Sequence, residues 1–148
     1  MLKVYFTSVS RPLSGIFRSR QGATATEMAL ILPLLTSMLF GVFEFGTVVY
    51  AYSGMQFGAN RVARTVSVNR MTSAQARTAV QNYVPAWARN DVTVLVSQSN
   101  PSDTNINLVN VQLSIAADKA TPLPLLTRIA PWQLTSTVVM KQELPYVD

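Results

Sequence analysis

Residues 28–43 read MALILPLLTSMLFGVF and contain no charged side chain. This run is slightly shorter than the roughly 20 apolar residues that span a bilayer. Apolar residues resume after Glu44, in FGTVVYAY, and continue to Tyr52. We therefore predict one transmembrane helix in which Glu27 and Glu44 lie about 25 Å apart along the axis, near opposite edges of the hydrocarbon core. Pro33 lies inside the run, where a membrane helix tolerates it.

The segment that precedes this run is strongly basic. Its cations are Lys3, Arg11, Arg18 and Arg20. Without residues 1–22 the net charge of +5 almost disappears, because eight basic and seven acidic side chains remain. Positive charge is retained on the cytoplasmic side of membrane helices. The pattern predicts a cytoplasmic N-terminus and an exported C-terminal region, and it argues against a nucleic-acid partner.

Beyond the apolar run, the first helix is expected to continue through QFGANRVARTVSV. Thr72-Ser-Ala-Gln75 then matches a capping box, which predicts the start of a second helix. The predicted apolar stripe of this helix is Ala76, Ala79, Val80 and Tyr83. Pro85 is expected to end or bend it.

The C-terminal half carries strand patterns. Apolar and polar side chains alternate in residues 92–97 and more regularly in 109–115. The turn-rich residues 99–105 between them predict a hairpin. Residues 134–142 predict a third, less regular strand, and residues 125–129 a short helical turn.

The predicted fold class is α+β. It has a long N-terminal transmembrane helix extended outside the membrane, a short second helix and a small antiparallel three-stranded sheet. We expect residues 1–22 to form the basic cytoplasmic leader and residues 23–70 the transmembrane and extended helix. Residues 71–148 would form the exported head.

The composition excludes several kinds of chemistry. The chain has neither Cys nor His, so disulfides, the usual zinc and haem sites, and Ser-His-Asp or Cys-His catalysis are excluded. The acids of the exported region show neither metal-ligand nor paired-carboxylate spacing, and there is no glycine-rich phosphate loop. Those acids are Asp91, Asp103, Asp118, Glu143 and Asp148. We expect no enzymatic activity and no cofactor.

Three features coincide around Gly22. Basic residues lead up to this glycine, a small residue, Ala23, follows it, and Glu27 is the fifth residue after it. The span through EFG resembles the TadE-like family of the tight-adherence pilus system. That family typically has a glycine, four residues, a glutamate, an apolar segment with a proline, and then G-x-x-E-F-G. Here these elements are Gly22, Glu27, MALILP at 28–33 and GVFEFG at 41–46, although Met28 stands where the family usually has an aromatic residue.

The resemblance implies cleavage between Gly22 and Ala23 by a membrane prepilin peptidase. Cleavage would create an amine at Ala23, one helical turn from Glu27, and the carboxylate would pair with this amine or with that of an adjacent subunit. A plain signal anchor is the alternative for Gly22 and Glu27. A secretory signal peptide cut near Ala51-Tyr-Ser53 is a further alternative.

Other residues of the helix are candidates for packing and assembly between subunits. Small residues permit close approach of helices in membranes. Glu44 has two open interpretations, a contact with another subunit or a marker of the outer membrane interface. The complete candidate set is Glu27, Pro33, Ser37, Gly41, Glu44, Gly46, Gly54 and Gly58.

The function implied by the resemblance is a minor pilin-like structural or assembly subunit of a tight-adherence pilus. Its implied partners are the membrane, the prepilin peptidase, the major pilin, other minor pilin-like subunits and the inner-membrane assembly platform. The implied location is the bacterial inner membrane, crossed once. The alternative is a membrane-anchored periplasmic adaptor or binding protein that does not enter a filament.

Overall fold

A computed structural model describes residues 20–143, with the side chains of residues 20 and 21 left out. Most of the predicted leader therefore lies outside the described residues, as does Asp148. Two helices, α1 (Arg20–Ser67) and α2 (Ser73–Gln81), precede three strands. The strands are β1 (Thr93–Gln98), β2 (Leu108–Ala116) and β3 (Gln133–Lys141), and a short 3₁₀ turn (Ala117–Lys119) follows β2. The predicted α+β class and its elements are confirmed.

Helix α1 is continuous past Pro33 and ends in a defined cap. Asn69 has a φ of 56°, the left-handed conformation that asparagine tolerates. The Arg70 N–H donates to the Thr65 carbonyl and the Asn69 N–H to the Val66 carbonyl. These two bonds form a Schellman motif, which satisfies the last carbonyls and stops the helix.

The chain divides into two compact units between Leu39 and Phe40. The side chains of residues 22–39 are all exposed. The second unit contains the rest of α1 together with α2 and the sheet. The predicted division into residues 1–22, 23–70 and 71–148 stays a prediction.

In the second unit, one face of α1 forms one side of the core. Its buried side chains recur every three or four residues, the period of a helix face. They are Glu44, Val48, Ala51, Met55, Ala59, Val62, Ala63 and Val66. All but the first are apolar and belong to one cluster with the inner face of the sheet.

The three strands form an antiparallel meander in the order β1-β2-β3. Val96 pairs with Val111, and Val111 with Val138. The predicted alternation in β2 is confirmed, since Val109, Val111, Leu113 and Ile115 are all buried. The outward face carries half-buried polar residues between them, so the sheet is covered on one side only.

Helix α2 begins as predicted. Thr72 is its N-cap and forms the reciprocal capping box with Gln75. Ala76 and Val80 are buried, and Ala79 packs against the core. Tyr83 is a correction, because α2 ends at Gln81 and this tyrosine lies in the following turn. The turn begins before Pro85, so the proline does not end the helix itself.

Strand β2 runs antiparallel to the second half of α1. Near the start of β2, the backbone carbonyl of Asn107 accepts a hydrogen bond from the Gln142 N–H. The next residue, Glu143, donates its N–H to the Ser67 carbonyl at the end of α1. After the end of β2, the hydroxyls of Thr47 and Thr121 lie 2.8 Å apart. The β1–β2 turn is therefore at the Ser67 end of α1, and the connection from β2 to β3 is at the Glu44 end.

Candidate functional site

The predicted processing site lies at the start of α1. Gly22 and Ala23 are in its first turn, where the Thr26 hydroxyl donates to the Gly22 carbonyl at 2.9 Å. Cleavage between Gly22 and Ala23 stays a prediction. Glu27 is exposed and makes no described hydrogen bond or ion pair within residues 20–143. Pairing of its carboxylate with the amine of Ala23 stays a prediction.

Pro33 and Ser37 belong to the exposed apolar part of α1. The Ser37 hydroxyl donates to the Leu34 carbonyl at 2.8 Å, so its hydrogen-bonding capacity is used within the helix. Leu30 is 74% exposed and Leu39 is 69% exposed. A surface of this kind needs lipid or neighbouring helices to cover it. Among the described residues, α1 is the one helix long and apolar enough to cross a membrane.

Glu44 occupies a different environment from Glu27. It is only 1% exposed, and its carboxylate receives three hydrogen bonds from one short segment. The Leu126 N–H donates to Oε2 at 2.7 Å, and the Thr127 N–H and hydroxyl donate to Oε1 at 2.8 and 2.6 Å. Bonds to a charged acceptor are stronger than neutral ones. Glu44 therefore fixes this segment onto α1.

That segment belongs to residues 120–132, here called the 120–132 loop, which joins the 3₁₀ turn to β3. Its base is closed by the Ala117 N–H, which donates to the Trp132 carbonyl at 2.9 Å. The indole N–H of Trp87 donates to the Ala120 carbonyl at 3.1 Å. At the predicted helical turn, Leu126 accepts hydrogen bonds from the N–H groups of Ile129 and Ala130. The loop is therefore compact and held at both ends.

Three of the candidate glycines pack within the chain. A Cβ on Gly54 would lie 2.6 Å from the Tyr83 carbonyl oxygen, and one on Gly58 would lie 3.0 Å from the Tyr83 Cβ. A Cβ on Gly41 would lie 3.3 Å from Cδ1 of Leu126. Gly54-x-x-x-Gly58 therefore receives the segment after α2.

Gly46 differs from these glycines, since a Cβ there would meet no atom within 4 Å. Of the candidate residues, those whose surroundings remain open are Glu27, Pro33, Ser37 and Gly46. For all eight candidate residues, a contact between subunits stays a prediction.

A mainly apolar groove of about 370 Å³ opens beside Glu44, between α1 and the 120–132 loop. It is lined by Gly41, Glu44, Phe45, Val48, Leu126, Thr127, Ala130, Pro131 and Trp132. Among residues 22–143, no three acidic side chains are grouped so that they could hold a metal ion. The arrangement is suited to packing and docking.

The contact between Glu44 and the 120–132 loop was not predicted from the sequence. A partial signal exists, because Glu44 precedes Val48 by four residues and Ala51 by seven. This spacing places the carboxylate on the buried face of α1. Its partners are 82 and 83 residues away in the chain and form no recognisable motif.

Residues 22–64 match the family model described as TadE-like protein. The matched segment runs from the predicted cleavage glycine into the packed half of α1, and it confirms the predicted resemblance. Neither a curated protein nor a solved structure matches the chain. The family match and the apolar helix together indicate membrane and pilus association.

Proposed function

We propose that this protein, whose residues 22–64 are TadE-like, is a minor pilin-like subunit and that a prepilin peptidase cleaves it after Gly22. The observation that carries the proposal is the family match over Gly22, Glu27 and the apolar helix. The role is structural, in pilus assembly, and requires no catalysis. The protein sits in the inner membrane with its C-terminal unit exported.

The environment of Glu27 supports this proposal. This carboxylate is exposed at the start of an apolar helix and is not engaged by described groups of its own chain. A charged side chain in lipid is unfavourable by about 2.5–3.5 kcal/mol at the helix centre and less near its ends. Pairing with the new amine of Ala23, in the same or an adjacent subunit, offsets this cost. Cleavage would thus create a partner of a kind that Glu27 does not have among residues 22–143.

The exposed half of α1 supports assembly by helix packing. Its apolar side chains are available to the major pilin, to other minor pilin-like subunits and to the assembly platform. Gly46 offers a further close-approach position, because the space around it is open. Glu44 and Gly54 instead make contacts within the exported unit, so we do not assign them to contacts between subunits.

The mature N-terminus tests processing directly. In cells with the peptidase, mass spectrometry should find a chain that begins at Ala23, and in cells without it a chain that retains Met1. Gly22→Ala should block the conversion, whereas Gly46→Ala, a glycine substitution away from the bond, should not. Retention of Met1 in both strains would favour the alternative of a membrane-anchored periplasmic adaptor.

Assembly is tested separately with processed protein. Glu27→Gln should reduce co-purification with the major pilin while leaving the exported unit folded, because Glu27 lies outside that compact unit. Glu27→Asp, which keeps the charge, should retain part of the association. Unchanged co-purification of the glutamine variant would contradict the proposed pairing.

A further inference from the structure

The apolar run that predicts the membrane span has an unusual end. Charge-free sequence stops at Phe43, after about 24 Å of helix, whereas the hydrocarbon core is about 30 Å thick. A helix that fills this thickness from Met28 reaches about residue 47 and takes Glu44 into the membrane boundary. An unshielded carboxylate is unfavourable there. In the structure this carboxylate is shielded, since it is buried under Leu126 and Thr127.

The shielding loop lies at the same level as the end of the apolar run. Leu126 Cδ1 is 3.3 Å from the position of a Cβ on Gly41, a residue inside the charge-free run. With residues 28–43 in the bilayer, Gly41 lies close to its edge, because it is about 4.5 Å before Glu44 along the helix. Leu126, which contacts Gly41, then lies at that edge as well. The absence of a side chain at Gly41 permits this approach.

The loop itself is apolar and outward-facing. Ile129 is 81% exposed, Leu126 57% and Trp132 49%. Leu126 and Trp132 line one groove together with Phe45 of α1, which is 63% exposed. Such a patch on a folded protein indicates an interaction surface. Leu126 lies against Gly41, a residue of the charge-free run, and this contact points to lipid as the covering material.

The polar groups of the loop indicate how deeply it enters. Irregular backbone is not found exposed to hydrocarbon, because its N–H and C=O groups would lack partners. The three prolines of the loop, Pro122, Pro124 and Pro131, carry no N–H group, and Glu44 binds two of the remaining ones. Arg128 is the loop's one charged residue and is exposed. Tryptophan and arginine are suited to the headgroup layer, where acidic lipids attract cations.

We propose that the 120–132 loop enters the outer interfacial layer of the bilayer and forms a second membrane contact that covers Glu44. The exported unit is thereby fixed against the membrane surface by the loop as well as by α1. This inference rests on the membrane span and not on the pilus.

Trp132 provides the test, since the chain has only two tryptophans. The full-length Trp87→Phe variant has Trp132 as its one indole; it loses the Trp87–Ala120 hydrogen bond but keeps the bonds of Glu44 to the loop. It is reconstituted in phosphatidylcholine–phosphatidylglycerol vesicles. Phosphatidylcholine brominated at acyl carbons 6 and 7 replaces part of the lipid. We expect about twofold quenching of Trp132 and emission at shorter wavelength than in water, as for an interfacial indole.

The matched control places the indole at the opposite end of the unit. Ile106 is 60% exposed in the β1–β2 turn, which lies at the Ser67 end of α1. That end is about 39 Å along the helix from Gly41. An Ile106→Trp substitution in the Trp87→Phe, Trp132→Phe background should show almost no quenching.

A second pair of variants tests the loop's own contribution. Ile129→Asp should reduce the quenching of Trp132, because it places a charge in the interface, whereas Ile106→Asp should leave it unchanged. Both sites are exposed, so folding is retained. Equal quenching at positions 132 and 106 would overturn the proposal.

A docked protein gives a different result. If a second copy covered the loop, Trp132 would stay unquenched and its emission would change with the protein-to-lipid ratio, which also overturns the proposal. No peptidase or pilus enters these measurements. Failed quenching therefore leaves the proposed processing intact, and failed processing leaves the loop proposal intact.

Discussion

Two carboxylates of α1 illustrate how differently one residue type is used in this protein. Glu27 is exposed, whereas Glu44 is buried and accepts three hydrogen bonds from the 120–132 loop. A buried carboxylate persists only when such partners replace its water. The loop and the acid therefore stabilise one another.

Glu44→Ala is predicted to release the loop. Removing the carboxylate leaves three donors without their acceptor. A hydrogen bond to a charged group contributes about 1.5–3 kcal/mol, but the freed donors regain water when the loop opens, so we expect a net cost of about 3 kcal/mol. Hydrogen exchange in detergent micelles should show the amides of Leu126 and Thr127 exchanging about 100-fold faster. Glu44→Gln, which keeps one acceptor oxygen, should have a smaller effect.

Glu27→Ala is the matched control, since it removes the same side chain from the same helix. Exchange at Leu126 and Thr127 should be unaffected. Equal acceleration in the two alanine variants would show that the carboxylate of Glu44 does not hold the loop.

Between elements, close packing and buried amides determine how α1, α2 and the sheet fit together. Gly54 and Gly58 receive the Tyr83 segment, and Trp87 and Tyr50 contact at 6.1 Å between ring centroids. At the far end, the buried side chain of Asn107 donates to the side chains of Gln98, in β1, and Gln142, which follows β3. These contacts connect parts of the chain that are distant in sequence.

Gly54→Ala and Gly46→Ala should change stability in opposite directions. Alanine favours a helix interior over glycine by about 1 kcal/mol. At position 46 nothing opposes this gain, whereas at 54 the Cβ would lie 2.6 Å from a backbone oxygen. Overpacking costs about 1–3 kcal/mol, so the two variants should differ by about 2 kcal/mol in free energy of unfolding. Urea unfolding of both variants measures this, and similar midpoints would contradict the packing described.

Asn107→Ala should loosen the β1–β2 hairpin. Its side chain donates to the Gln98 and Gln142 side chains and accepts from the Asn100 N–H at 2.8 Å. The substitution leaves these groups without a hydrogen-bond partner, which should lower the free energy of unfolding by about 2 kcal/mol.

Asn105→Ala is the control for this substitution, because Asn105 is exposed in the same turn. It should change stability by less than about 0.5 kcal/mol. Urea unfolding distinguishes the two variants, and equal midpoints would show that the amide network contributes little.

At the scale of the whole molecule, the compact unit that contains the sheet also includes the second half of α1. Met55, Val62 and Val66 are at most 1% exposed and pack in the same cluster as the sheet. Each such side chain contributes about 1.5–3 kcal/mol on burial, and a domain is stable by only about 5–15 kcal/mol. The sheet and α2 therefore depend on α1 for a core.

A chain of residues 40–148 should accordingly fold, whereas residues 71–148 alone should not. Circular dichroism melting should show a cooperative transition for the first and none for the second. A cooperative transition of similar midpoint in residues 71–148 would show that the predicted head is complete without the helix.

Local patterns predicted much of this structure. The capping box at Thr72 and the alternation in β2 were recognised because neighbours in the chain create them. The resemblance around Gly22 and Glu27 was likewise recognisable from contiguous residues, and the family match over residues 22–64 confirms it. The end of α2 was less predictable, because Pro85 lies beyond the turn that terminates the helix.

The sequence by itself determined the apolar helix, the order of the helices and strands, and the TadE-like segment, since each depends on residues close together in the chain. Tertiary structure decided the roles of Glu44, Gly41, Gly54 and Gly58. Their environments depend on Tyr83 and on the 120–132 loop, which are brought to α1 by the folding of the intervening chain. Burial and hydrogen-bond partners of this kind are properties of contacts distant in sequence, so no local pattern contains them.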